Sequence, residues 1–136
     1  MKVVIDTNII ISALIKDSTT RKLIVNSNWE FYYPEASFHE LSKHKNIVME
    51  KSGISEQDYA KVLNILLSRI KIVPEEHIQQ KLKEAVNLLG KIDTDDVVFL
   101  ATALSIAKSV VWSDDRHFEK QDKVKVMKTK DISKLL

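Results

Sequence analysis

The stretch MKVVIDTNIIISALI, residues 1–15, decides the fold of this chain. Residues 3–5 are a short continuous apolar run, which is typical of a strand buried on both faces of a sheet. Residues 7–15 then carry apolar side chains at helical spacing, so the chain passes from strand to helix at Asp6. This strand and helix are the first unit of an α/β protein.

Strand-like and helix-like segments alternate along the rest of the chain, with no linker or repeat between them. This alternation predicts one domain, residues 1–136, built on a parallel sheet that helices cover on both faces. Lysines alternate with valines at 124–126, which is typical of an exposed edge strand. Further strands are predicted at 31–33, 70–73 and 110–112, and helices from Ser18 or Thr19, over 34–51, over 55–66, over 75–89 and from Thr94.

The composition excludes several classes of protein. With 44% hydrophobic and 29% charged residues, the chain has the make-up of a soluble globular domain. Its 21 basic and 19 acidic residues are too balanced for a nucleic-acid binder that works by bulk charge, so any basic partner surface must be local. The absence of cysteine excludes disulfides and thiolate zinc sites. No segment has the pattern of a signal peptide or a membrane span, so we expect a cytoplasmic protein.

Acidic residues recur at places that a parallel sheet would bring to one edge. Ligands of such sheets bind outside the carboxyl ends of the strands. Two carboxylates about 4 Å apart repel by about 4 kcal/mol at an effective dielectric constant of about 20, so the cluster requires a cation. Carboxylate oxygens suit magnesium or manganese better than zinc. The acids are Asp6 after the first strand, Glu40 in the third helix, Asp93, Asp95 and Asp96 at the start of another helix, and Asp114 and Asp115 after the fourth strand.

Four motifs that follow one another along the chain resemble those of the PIN-domain family. Each motif alone is weak, but four in register over almost the whole chain are specific. The resemblance implies a three-layer α/β/α sandwich around a central parallel sheet of strand order 3-2-1-4-5. The motifs are Asp6-Thr7-Asn8, Glu40-Leu41-x-x-His44, Asp93-Thr94-Asp95-Asp96-Val97-Val98-Phe99-Leu100-Ala101 and Trp112-Ser113-Asp114-Asp115-Arg116-His117-Phe118.

The same resemblance implies a hydrolase, an endoribonuclease that cleaves single-stranded RNA with Mg²⁺ or Mn²⁺. Many small members of the family are VapC-like toxins of toxin-antitoxin pairs, usually homodimers, so a homodimer and an antitoxin protein are the implied partners. Arg116 is a further candidate contact to RNA, because arginine neutralises phosphates. By position, the catalytic and metal-binding residues would be Asp6, Glu40, Asp96 and Asp115, and Asn8 and Ser113 would be their polar companions at the substrate.

Some assignments within the site stay open. We prefer Asp96 to Asp95 because it directly precedes the apolar run 97–101, although Asp93 and Asp95 could also cap this helix. The family often carries a further acid two residues after the strand-four aspartate, where this chain has His117, so the site holds either one ion or two.

Two further assignments depend on spacing and on the resemblance. Asp115 is preferred to Asp114 because its spacing from Ser113 and Phe118 fits the family pattern. Glu40 depends most on the resemblance, since its position on the helix alone favours a solvated residue.

Two other functions fit parts of the pattern. A PIN-like domain that no longer cuts RNA could serve as a binding or assembly module. A receiver-type phosphoryl-transfer domain also gathers acids at strand ends, but it requires an aspartate after strand three, where this chain has Pro74 and Glu75. A metal-dependent activity assay separates the first of these from the nuclease.

Overall fold

A five-stranded parallel sheet is the centre of the computed structural model, which describes residues 1–15, 19–90 and 94–135. The strand order is β3-β2-β1-β4-β5, and every neighbouring pair is parallel. The predicted fold class and strand order are therefore confirmed. The strands are β1 (Lys2–Ile5), β2 (Glu30–Pro34), β3 (Ile70–Val73), β4 (Ser109–Trp112) and β5 (Val126–Met127).

Two groups of helices flank the sheet. In the first group α1 packs against α2, α3 and α4, and in the second group α5 packs along α6. None of the helices in the described part of the chain has both the length and the apolar character that crossing a bilayer requires. The helices are α1 (Thr7–Ile15), α2 (Thr19–Asn26), α3 (Phe38–Ser52), α4 (Glu56–Leu67), α5 (Glu75–Leu89), α6 (Thr94–Ser105) and α7 (Thr129–Ser133), with short 3-10 helices at Glu35–Ser37 and Arg116–Lys120.

The central position of β1 explains its apolar sequence. It pairs with β2 on one side and with β4 on the other, so neither of its edges is exposed. Val3, Val4 and Ile5 are completely buried, and each such side chain contributes about 1.5–3 kcal/mol by leaving water. Trp112 and Phe118 are also completely buried, so both belong to the core.

Local signals place most helix ends correctly. The hydroxyl of Ser55 accepts a hydrogen bond from the backbone N–H of Asp58 at 3.1 Å and so caps α4. Gly53 and Gly90 end α3 and α5 in the left-handed conformation, each with φ near +66°. The alternative start of α2 at Ser18 and the capping role considered for Asp93 lie outside the described residues.

Pro34 differs from its predicted role. We expected it in the first turn of the third helix, but it is the last residue of β2, where it pairs with Val73. Its φ of −72° and ψ of 133° are extended, and the helical conformation begins with the 3-10 helix that follows. The fixed φ of proline suits a strand end as well as a helix start, so its residue type could not decide between them.

The edge strand β5 begins two residues later than the predicted strand at 124–126. It comprises Val126 and Met127, which pair with Val111 and Trp112. Val124 lies before the strand because the amide of Gln121 binds both its N–H, at 2.8 Å, and its carbonyl oxygen, at 2.9 Å. Those backbone groups are therefore used locally rather than in the sheet. The predicted position of this strand at an edge is confirmed.

The buried hydroxyl of Tyr33 connects three parts of the fold. It lies 2.7 Å from the hydroxyl oxygen of Thr7 in α1 and 2.9 Å from the carbonyl oxygen of Ser37, just before α3. We expect Tyr33→Phe to lower the free energy of unfolding by about 1–3 kcal/mol, because it leaves these buried polar groups with one partner fewer. Urea denaturation followed by circular dichroism measures this change.

Tyr32→Phe is the matched control for this prediction. Tyr32 is the neighbouring residue of β2 and is only partly buried, so loss of its hydroxyl should change stability by less than about 0.5 kcal/mol. Equal effects of the two substitutions would contradict a structural role for the Tyr33 hydroxyl.

Candidate metal centre

The pairing of β1 with β4 brings two of the acidic motifs together. Ile5 is paired with Trp112, and the backbone N–H of Asp6 donates to the Trp112 carbonyl oxygen at 3.2 Å. Ser113, the next residue after β4, donates its hydroxyl to Oδ2 of Asp6 and accepts the N–H of Asp115 at 3.0 Å. The carboxyl ends of these two strands therefore place Asp6 and Asp115 on either side of one serine.

Asp6 is the most buried acid of the site, with 5% of its surface exposed. Its Oδ1 accepts the N–H of Ile9 at 3.0 Å, so it also caps α1. Burial raises the pKa of Asp6 from 3.8 to about 6, the hydrogen bonds from Ser113 and Ile9 oppose this rise, and the charge of Asp115 adds to it. A carboxylate that is this costly to ionise is one that a bound cation would stabilise.

Asp96, Asp115 and His117 form a second part of the site. Nδ1 of His117 lies 2.8 Å from Oδ2 of Asp96 and 3.4 Å from Oδ1 of Asp115. One donor atom from each of the three residues lies within 4.8 Å of the other two. The hydrogen bond to Asp96 and the negative charge of both acids raise the pKa of His117. The first turn of α6 and the turn after β4 thus meet in one cluster.

Glu40 reaches the same edge of the sheet from the first turn of α3. Its Oε1 accepts the hydroxyl of Thr7, the residue after Asp6, at 3.2 Å. Partial burial raises the pKa of Glu40, and the charges of Asp95 and Asp6 add to the effect. The structure therefore places Glu40 near the other acids, whereas the ring of His44 lies 2.7 Å from the Glu40 carbonyl oxygen and stays within its own helix.

The structure separates the two ambiguous acid pairs. Asp114 binds the backbone N–H and the hydroxyl of Thr129, both at 2.8 Å, and so holds the start of α7. The carboxylate of Asp95 lies 3.6 Å from Nε2 of His39, and it is near enough to Glu40 for its charge to raise the pKa of that residue. Asp115 and Asp96 are the members of each pair that face His117, which favours them as ligands.

The polar companions differ in how far they enter the site. Ser113 is completely buried between Asp6 and Asp115. Asn8 in the first turn of α1 and Arg116 beside Asp115 are both exposed. Ser113 therefore orients the acids, while Asn8 and Arg116 are available to a molecule in solution.

His117 is the residue near these acids to which the sequence assigns no role. It stands where the family often carries a further acid, and the structure places its ring nitrogen beside two carboxylates. The signal was its spacing of two residues from Asp115. Carboxylate oxygens together with one imidazole nitrogen are a donor set that fits a divalent cation.

Comparison with known proteins bears on this site. A family model described as "PIN domain" matches residues 4–136. A search of curated proteins found no match.

Two solved structures are similar to this chain over most of their length. One is VapBC2 from Rickettsia felis bound to a DNA fragment from their promoter, with a TM-score of 0.71 and 17% identity over 94% of this chain and 98% of that chain. The other is VapBC-1 from nontypeable Haemophilus influenzae, with a TM-score of 0.66 and 20% identity over the same shares. At such identities the likeness shows a common fold. The family model, which spans nearly the whole sequence, shows that the chain belongs to the PIN-domain family.

Proposed function

We propose that this protein is a metal-dependent endoribonuclease that hydrolyses phosphodiester bonds of single-stranded RNA. The observation that carries the proposal is the meeting of Asp6, Asp96 and Asp115 at the carboxyl edge of the sheet, with Glu40 close by. So many acids in one place need a divalent cation to offset their repulsion. Membership of the PIN-domain family supports the same activity.

The carboxylates of the site would hold Mg²⁺ or Mn²⁺, and neighbouring side chains keep these carboxylates in place. Such an ion lowers the pKa of a bound water and stabilises negative charge that develops on the phosphate. Asp6, Glu40, Asp96 and Asp115 would share the ion directly or through water. Ser113 fixes the orientation of Asp6 through its hydroxyl and that of the Asp115 backbone through its oxygen. The acids are thus preorganised before substrate arrives.

The RNA would approach the exposed side of the cluster. Arg116 lies between Asp115 and His117 and is exposed, so its guanidinium can neutralise a phosphate next to the ion. Asn8 is exposed in the first turn of α1 and can hydrogen-bond a phosphate or a sugar. A charge of +2 for the whole chain makes this local contact more important than bulk attraction.

We also propose that the protein is the toxin of a toxin-antitoxin pair, as a homodimer that an antitoxin protein inhibits. The support is the fold that it shares with the VapBC2 and VapBC-1 structures over 94% of its length. A cleaving toxin requires an inhibitor in the cell that makes it. Growth arrest on expression, relieved by substitution of Asp115, is the outcome expected of such a toxin.

One observation favours a second function, a PIN-like module that binds without cutting. The ring of His117 lies between Asp96 and Asp115 and, when protonated, offsets part of their charge without a metal. Such a module would bind RNA equally well in EDTA and would not cut it.

Substitution of the two neighbouring acids after β4 tests the nuclease. We expect Asp115→Asn to lower the rate of cleavage of a fluorescent single-stranded RNA by at least about 100-fold, because it removes a metal ligand. Asp114→Asn should keep the rate and lose about 1 kcal/mol of stability, because it weakens the contacts that hold α7. EDTA should abolish cleavage by the unchanged protein.

The two variants differ by one position and carry the same chemical change, so each is the control for the other. Cleavage by Asp115→Asn at the rate of Asp114→Asn, in protein purified away from host nucleases, would exclude the proposed assignment. Cleavage that persists in EDTA would exclude the metal.

The burial of Asp6 predicts a pH-dependent gain in stability for Asp6→Asn. Between pH 3.8 and about 6 the folded protein binds more protons at Asp6 than the unfolded chain does, so its stability falls as the pH rises. The full loss, roughly 3 kcal/mol, is reached above pH 6. Asp6→Asn should therefore stabilise the metal-free protein at pH 7.5 and give little gain at pH 4, while it abolishes cleavage.

Urea unfolding in EDTA at a series of pH values measures this gain. Asp122→Asn is the control, because Asp122 is exposed and its substitution should have little effect at either pH. A loss of stability in Asp6→Asn at pH 7.5 would show that ionisation of the buried Asp6 carboxylate does not destabilise the fold.

A further inference from the structure

We propose that His117 is itself a ligand of the ion and that it gives the site a preference for transition-metal ions over Mg²⁺. The inference rests on the metal site of the proposed function and names the class of ion that the site takes. It predicts affinities in the order Mg²⁺, Mn²⁺, Co²⁺, with Co²⁺ bound most tightly.

The position of the ring nitrogen is the first argument. Nδ1 of His117 is 2.8 Å from Oδ2 of Asp96 and 3.4 Å from Oδ1 of Asp115. Adjacent ligand atoms of an octahedral ion with bonds of about 2.1 Å lie about 3 Å apart. The separations of the ring nitrogen from both carboxylates are close to this spacing, and all three donors lie within 4.8 Å of one another, so the imidazole can take one ligand position.

The second argument is that the backbone holds this histidine in place. The N–H of His117 donates to Oδ1 of Asp115 at 2.9 Å, and the next residue, Phe118, is completely buried in the core. The turn that positions Asp115 therefore also positions the imidazole. His39, by comparison, has a single acid, Asp95, 3.6 Å from its Nε2, while its Nδ1 lies 2.7 Å from the carbonyl oxygen of Ala36.

The third argument is the chemistry of the donor set. Mg²⁺ prefers oxygen ligands and gains little from an imidazole, whereas transition-metal ions bind nitrogen well, with affinity rising from Mn²⁺ to Co²⁺. A histidine in place of a carboxylate also removes one negative charge, which weakens the binding of every divalent ion, and the nitrogen donor compensates for this loss only with transition-metal ions. One nitrogen thus shifts the preference of an otherwise acidic site.

The experiment measures binding without any substrate. Calorimetric titrations of Mg²⁺ and Mn²⁺ into the full chain give the ratio of their affinities for the unchanged protein and for His117→Asp, whose donors are all oxygens. We expect the preference for Mn²⁺ to fall by about tenfold in His117→Asp. Pulsed electron paramagnetic resonance of bound Mn²⁺ should show coupling to a ring nitrogen, and this coupling should disappear in His117→Asp.

His77→Asp is the control for the change of charge, because His77 is an exposed histidine in the first turn of α5. It should keep both the affinity ratio and the nitrogen coupling. Two results together would overturn the role of His117: the same affinity ratio in His117→Asp as in the protein without substitution, and no nitrogen coupling in the latter. The proposed nuclease activity would not be affected by these results. Failure of the unchanged protein to bind either ion would instead overturn the metal site on which both proposals rest.

Discussion

The parallel pairing of β1 with β4 is the contact on which the candidate site depends. Ile5 opposite Trp112 aligns the ends of the two central strands, so Asp6 and Ser113 emerge side by side. The buried serine then links Asp6 to the backbone of Asp115. A shift of this pairing by one residue would turn the side chains of β1 to the opposite faces and separate these groups. The complete burial of residues 3–5 is thus also what aligns the acids.

Charge is the second constraint, and it opposes folding. Burial makes Asp6 costly to ionise, and partial burial acts in the same direction on Glu40. His117, when protonated, offsets part of the charge of Asp96 and Asp115, because its ring lies beside both carboxylates. A site that destabilises the metal-free fold in this way is typical of functional sites, where stability is traded for activity. In the proposed function, stability, ion binding and catalysis therefore depend on the same side chains.

Most of the fold could be predicted from residues close together in the chain. The apolar run of β1, the serine cap of α4 and the glycines that end α3 and α5 are local signals, and each gave a correct boundary. The errors arose where a distant or competing contact decided the outcome. Gln121 binds the backbone of Val124 and delays β5, and the pairing of Pro34 with Val73 keeps this proline in β2. Periodicity and propensity contain neither contact.

The sequence by itself determined the order of strands and helices and the presence of acids at their junctions, because hydrophobic period and capping act over a few residues. The tertiary structure alone decided which acid of each pair lies beside His117. Asp114 accepts a hydrogen bond from Thr129, 15 residues further along the chain. Asp96 is hydrogen-bonded to His117, which is 21 residues away in the sequence. Neighbouring residues point in different directions, so only contacts between distant segments could select Asp96 and Asp115 and bring a histidine to them.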